Sequence, residues 1–65
     1  MPQFKYTITN FRTTPDGKRT FCIIRDKVTR SELFRSGESK NRSDVVCEMN
    51  QYLQKNPYLI NYVEG

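Results

Sequence analysis

Hydrophobic and polar residues alternate in the first part of the chain. Phe4, Tyr6 and Ile8 are separated by single polar residues, the period-2 pattern of a strand with one buried face. This pattern predicts a first strand over residues 3–12. The following segment, 13–18, contains Pro-Asp-Gly, residue types that suit a tight turn, and it predicts a hairpin loop.

Two further strands are predicted after this loop. Residues 19–27 are rich in aromatic and β-branched types and have apolar side chains at both odd and even positions, which is typical of a central strand. A turn near residues 26–29 leads to a third strand over 30–35. Its apolar pair, Leu33 and Phe34, points to opposite faces, so the pattern leaves the register of this strand open.

A helical period replaces the alternation after residue 41. Apolar residues recur there at spacings of three and four, and they form one stripe: Val45, Val46, Met49, Tyr52 and Leu53. Asn41 is a suitable N-cap, and Asp44 favours the positive end of the helix dipole. The helix is expected to end at Lys55-Asn56-Pro57, because proline disfavours helical backbone in the residue before it.

These elements predict an α+β fold in a single small domain over residues 1–65. In this fold a three-stranded antiparallel β-meander is packed on one face by a single amphipathic α-helix. Residues 58–63 fit a fourth C-terminal strand and a packed apolar tail equally well. The expected core consists of Phe4, Tyr6, Ile8, Phe21, Ile23, Val45, Val46, Met49 and Leu53. The opposite sheet face is then expected to expose Lys5, Thr7, Thr9, Phe11, Thr20, Cys22 and Ile24.

Composition argues against an enzyme and against a metal or cofactor site. The chain has no His, so acid-base chemistry at pH 7 would need a strongly perturbed carboxyl or thiol group. Cys22 and Cys47 are 25 positions apart and lack the clustered spacing of zinc ligands. We expect both to be free thiols in a cytoplasmic protein, since neither an 18-residue apolar run nor a signal-peptide pattern is present.

Positive charge is concentrated in the first half of the chain. The formal net charge is +4, but residues 1–35 carry +5 and residues 36–65 carry −1. Basic and aromatic residues also interleave, a combination that suits phosphate contacts and base stacking. The sequence therefore predicts nucleic-acid binding, most readily DNA, through the sheet and hairpin. The candidate binding residues are Lys5, Arg12, Lys18, Arg19, Arg25 and Arg35.

The predicted order of strands and helix resembles the arm-binding domains of phage integrases in architecture. That resemblance implies a sheet that enters the major groove of DNA, and it transfers no individual residue.

The alternative function is protein binding through the C-terminal segment. This segment is unusually apolar for a terminus, and an unpaired apolar strand favours edge-to-edge association. The candidate interaction residues are Tyr58, Leu59, Ile60, Tyr62 and Val63. Under this hypothesis the chain is a homodimer, or a small inhibitor of the phage type that docks on a larger host protein or nucleoprotein.

Overall fold

A computed structural model describes residues 3–64, which form a mixed four-stranded sheet and one helix. The elements are β1 (Lys5–Thr13), β2 (Thr20–Asp26), β3 (Glu32–Arg35), α1 (Arg42–Lys55) and β4 (Leu59–Glu64). The predicted α+β class is confirmed. Residues 59–64 form a strand rather than a packed tail. In the described part of the chain, no helix has the length and apolar character needed to cross a membrane.

The strand order in the sheet is β3-β2-β1-β4. β2 pairs antiparallel with both β1 and β3, whereas β4 pairs parallel with β1. The chain therefore leaves β3 at one edge, passes through α1, and returns as β4 at the other edge. β3 and β4 run in the same direction, and such parallel strands require a crossover connection, which α1 supplies.

The hand of this crossover explains which face the helix covers. The Lys5 N–H donates to the Tyr58 carbonyl at 3.0 Å, so Lys5, Thr7 and Thr9 direct their backbone groups toward β4. For L-amino acids, this arrangement fixes the face from which their side chains project. A right-handed crossover, the hand found in nearly all proteins, then places α1 over the Thr7 and Thr9 side.

The core lies between α1 and this side of the sheet. Cys22 and Ile24 of β2 pack with Val45 and Met49 of α1, and all four are buried. Partly buried residues extend this cluster: Phe11, Phe34, Val46, Tyr52 and Leu53. The Phe34 and Tyr52 rings stack with their centroids 4.6 Å apart. A small core of this kind provides a thin stability margin.

Polar side chains fill the part of this face nearest β4. Thr7 and Thr9 are fully buried, and both hydroxyl groups donate to the Asn61 Oδ1 at 2.8 Å. By register, Thr7 lies beside Asn61 on the neighbouring strand. Among the described residues, no buried side-chain oxygen or nitrogen lacks a hydrogen-bond partner. These buried threonines therefore satisfy the rule that buried polar groups are paired.

The predicted assignment of the two sheet faces was wrong. Four residues expected beneath the helix lie on the opposite face by register, namely Tyr6, Ile8, Phe21 and Ile23. Phe4 is also not core, because 63% of it is exposed. The residues expected to be exposed include Thr7, Thr9, Cys22 and Ile24, all of which are buried on the helix side. On β1, Thr7 and Thr9 thus lie beneath the helix instead of the larger Tyr6 and Ile8, because the crossover and not residue size selects the covered face.

Candidate nucleic-acid interface

The sheet face opposite α1, which we call the open face, carries both aromatic and basic side chains. By register, β1 contributes Tyr6, Ile8, Asn10 and Arg12 to it, and β2 contributes Phe21, Ile23 and Arg25. The two edge strands contribute Glu32, Arg35, Ile60, Tyr62 and Glu64. No element among residues 3–64 packs over this face.

One cation–ring cluster lies at the hairpin end of the open face. Phe21 is opposite Arg12 in the β1–β2 register, and the Arg35 guanidinium lies 5.6 Å from the Phe21 ring centroid. Arg12 and Arg35 are exposed. Arg35 also donates to Glu32 at 3.0 Å, and this contact raises the pKa of Arg35 and lowers the pKa of Glu32. The Phe21 ring therefore lies near the Arg35 guanidinium, and Arg12 is its cross-strand neighbour.

A second cluster lies at the other end of the same face. The Tyr6 and Tyr62 rings stack with centroids 6.4 Å apart, and the Lys27 Nζ lies 4.9 Å from the Tyr62 centroid. Tyr6 is 47% exposed and Tyr62 is 49% exposed. Rings of this exposure can accept a planar ligand, and a cation beside them can meet an anionic group of that ligand.

A shallow depression of about 350 Å³ adjoins the second cluster. Three cations line it, namely Arg25, Lys27 and Arg30, together with Ile8 and other residues. Asp26 and Glu64 also line it, so its charge is not purely positive. The concentration of donors in a concave surface suits an anion with several oxygen atoms, such as a phosphodiester.

Lys5 does not join these clusters. Its Nζ lies 3.5 Å from the Asp26 Oδ2, and its register partner on β4 is Leu59, on the helix side of the sheet. The pKa of Asp26 is lowered mainly by the backbone N–H groups of Thr29 and Val28, and to a smaller extent by Lys5. Lys5 therefore pairs with the nearly buried carboxylate that caps the turn after β2.

Lys18 and Arg19 lie in the hairpin loop, apart from both clusters. They share a depression of about 400 Å³ with acidic residues Asp16 and Glu38 and with Lys40. The Asp16 carboxylate accepts from the Lys18 N–H at 3.0 Å, and the Thr14 hydroxyl donates to it. These contacts, led by the one with Thr14, lower the pKa of Asp16. The loop cations thus share their depression with two carboxylates.

The structure therefore brings together three of the six predicted binding residues, namely Arg12, Arg25 and Arg35. Sequence reasoning missed Lys27 and Arg30. Lys27 follows Arg25 by two positions, so strand alternation already placed it on the same side. Arg30 had no such signal, because its position depends on a turn in which it adopts a positive φ of 65°.

The predicted interaction residues of the C-terminal segment are distributed over both sides of the sheet. Ile60 and Tyr62 are on the open face, whereas Leu59 and Val63 are on the helix side by register, and Tyr58 precedes the strand. Tyr58, Tyr62 and Val63 are exposed. The segment therefore provides one free strand edge rather than one apolar surface.

The described residues contain no group of three Cys, Asp or Glu side chains arranged to hold a metal ion. Cys22 is buried and Cys47 is exposed, and the two thiols are unpaired, as predicted. No protein-family model matches the chain, and neither a curated protein nor a solved structure matches it.

Proposed function

We propose that this chain is a binding protein rather than an enzyme, and that it binds DNA through the open face of its sheet. The observation that carries the proposal is the interleaving of cations with rings on the face that α1 leaves free. Arg12 and Arg35 flank Phe21, and Lys27 lies against Tyr62 beside Tyr6. Cations neutralise phosphates, and rings stack with bases.

The charge balance of the open face supports an anionic partner. Among residues 3–64 the ion pairs are Lys5–Asp26 and Arg35–Glu32. Arg12, Arg25 and Lys27 are therefore not engaged in an ion pair within the described chain. A polyanion that meets these groups releases its condensed counterions, which is the main source of non-specific affinity for nucleic acid.

The width of the sheet favours a single strand over a duplex. Four strands at a spacing of about 4.8 Å span roughly 14 Å between the outer strands. The major groove of B-DNA is only about 12 Å wide, so the whole face does not fit into it. An unpaired strand can instead lie across the face and stack its bases on Tyr6 and Tyr62, as single strands do on exposed aromatic residues.

The decisive experiment measures binding of fluorescein-labelled oligo-dT over a range of salt concentrations. Arg25→Gln removes one cation from the open face, and we expect the salt slope to fall by about 0.7 for each lost phosphate contact. Tyr62→Leu removes a stacking ring worth roughly 1–3 kcal/mol per base, so we expect the Kd to rise about 5-fold to 150-fold.

The chain offers a matched control for each change. Lys55→Gln removes one positive charge at the end of α1, and Tyr62→Phe keeps a stacking ring at the position that Tyr62→Leu empties. Both controls are expected to bind like the native chain. If the native chain shows no salt-dependent affinity for single-stranded DNA, duplex DNA or RNA, the proposal is wrong. A preference for duplex DNA would retain nucleic-acid binding but overturn the choice of a single strand.

A further inference from the structure

The two edges of the sheet differ in how they are protected from pairing with another strand. β3 has four residues, a register shift beside Arg25, and the charged side chains of Glu32 and Arg35. Short length, bulges and charges are the usual devices that prevent edge-to-edge association. β4 has six residues and carries a single charge, Glu64, at its end. The β4 edge therefore lacks the protection that the β3 edge has.

The register shows which backbone groups of β4 point outward. Because the Lys5 N–H donates to the Tyr58 carbonyl, the inward-facing groups of the parallel ladder belong to Tyr58, Ile60, Tyr62 and Glu64. The alternate residues, Leu59, Asn61 and Val63, direct their N–H and C=O groups away from β1. The Leu59 N–H already donates to the Asn56 carbonyl at 3.0 Å.

The outward-facing backbone groups of β4 can pair with the same groups of a second copy that is related by a two-fold rotation. When a second copy lies antiparallel with Asn61 opposite Asn61, the two residues exchange N–H···O=C bonds. Each Val63 N–H then meets the Leu59 carbonyl of the other copy, which gives four bonds in total. The Leu59 N–H, which is already occupied, is not needed for any of them.

The side chains are compatible with the same register. On the helix side, Leu59 of one copy lies opposite Val63 of the other, and Val63 is 57% exposed in the single chain. On the open face, Ile60 lies opposite Tyr62. Apolar and aromatic cross-strand pairs of this kind stabilise antiparallel sheets, and no two like charges face each other. At the ends of the pairing, Glu64 lies opposite the uncharged Tyr58.

We propose that two copies of this chain pair their β4 strands antiparallel about Asn61 and form a continuous eight-stranded sheet. Symmetric pairing of this type is the isologous contact of a two-fold dimer. Each copy then extends the open face of the other across the axis, with both Tyr62 rings near the centre. The pairing does not depend on what the open face binds, so it can hold even if the proposed function fails.

The test is the mass of the native chain in solution, measured by sedimentation equilibrium from 10 µM to 1 mM. The expected result is a concentration-dependent rise from the 7.7 kDa chain to twice that mass. Val63→Pro removes one outward N–H and leaves the ladder to β1 intact, because proline is tolerated on an edge strand where its nitrogen faces solvent. We expect this variant to remain monomeric with a native circular dichroism spectrum.

Val63→Thr is the control, because it keeps the amide and the β-branched shape, and it is expected to dimerise. A native chain that stays monomeric at 1 mM, or a folded Val63→Pro variant that still dimerises, would overturn the proposal. If Val63→Pro does not fold, the proposal is tested by measuring amide hydrogen exchange of the native chain at several protein concentrations. The Asn61 and Val63 amides must become more protected as concentration rises, and unchanged exchange would rule the pairing out.

Discussion

The two faces of the sheet are built from the same two central strands but have different chemistry. Most side chains of β1 and β2 on the covered face are small or compact, such as Thr7, Thr9 and Cys22, and each buried polar side chain described there has a partner. The open face holds rings and cations, of which Tyr6, Tyr62 and Arg12 are exposed. The difference shows that apolar size alone does not identify the face that a helix covers in a small α+β chain.

The covered face is selected by connectivity. Once β4 joins β1 on the side of the Lys5 backbone groups, a right-handed crossover allows α1 to cover only one face. The side chains of β1 and β2 on that face are mostly small enough to fit between α1 and the sheet. Asn61 completes the arrangement by accepting from two threonines, and α1 leaves the other face uncovered.

The largest expected effect comes from truncating a buried residue on the covered face. Two neighbouring residues of β2, Ile24 on the covered face and Ile23 on the open face, allow a direct comparison. Ile24 is fully buried against α1, and Ile24→Ala is expected to cost about 2–5 kcal/mol of unfolding free energy, comparable to the whole stability of so small a domain. Ile23→Ala is expected to cost less. Although Ile23 is only 5% exposed, its register neighbours are Asn10 and the long side chain of Arg35, which can move into the space.

Urea unfolding of both variants measures this difference. Equal losses of stability for the two alanine variants would mean that the open face is packed as tightly as the covered one. That result would contradict the comparison between the faces.

A smaller effect is expected where the covered face is polar. Asn61→Ala removes the acceptor of the Thr7 and Thr9 hydroxyl groups. A buried hydroxyl without a partner costs about 1–3 kcal/mol, so the unfolding free energy is expected to fall by at least that amount. Adding Thr7→Val and Thr9→Val to Asn61→Ala is expected to recover part of the loss, because no orphaned donor remains. A triple variant less stable than Asn61→Ala would show that the hydroxyl groups find other partners.

The local elements could be predicted from the sequence because their signals are local. The hairpin loop contains Gly17 with a positive φ of 73°, and the helix ends at Lys55, just before Asn56-Pro57. The pairing of β4 could not be predicted, because a parallel partner is specified by contacts distant in sequence. The assignment of Tyr6 and Ile8 to the core failed for the same reason, since it depended on the position of β4.

A sheet face with basic and aromatic side chains was predictable from the sequence, but the residues that form it were predictable only in part. Arg12, Arg25 and Arg35 share a face because strand register places them there. Lys5 could not be separated from them by charge alone, since its contact with Asp26 forms only when the end of β2 lies beside β1. Tertiary pairing therefore decides which cations remain free for a partner.

The smallest expected effect is a difference in acid sensitivity between the faces. Asp26 is only 6% exposed, and backbone N–H groups of Thr29 and Val28 hold its pKa below the ordinary value of 3.8. The unfolded chain therefore binds this proton more readily than the folded one. The resulting stabilisation is complete above the ordinary pKa and is lost as the pH falls through the lower, folded pKa.

Asp26→Asn keeps an oxygen acceptor for both N–H groups but removes the charge. We expect the native chain to melt at a higher temperature than this variant at pH 7, and the gap to narrow progressively as the pH falls below about 4. Glu32→Gln is the comparison on the open face. The pKa of Glu32 is lowered chiefly by a hydrogen bond from Arg35, but both side chains are about half exposed. Its effect is expected to be smaller and to disappear in 0.5 M salt, since exposed ion pairs are screened. A gap for Asp26→Asn that stays unchanged between pH 7 and pH 2.5 would show that the Asp26 charge does not stabilise the fold.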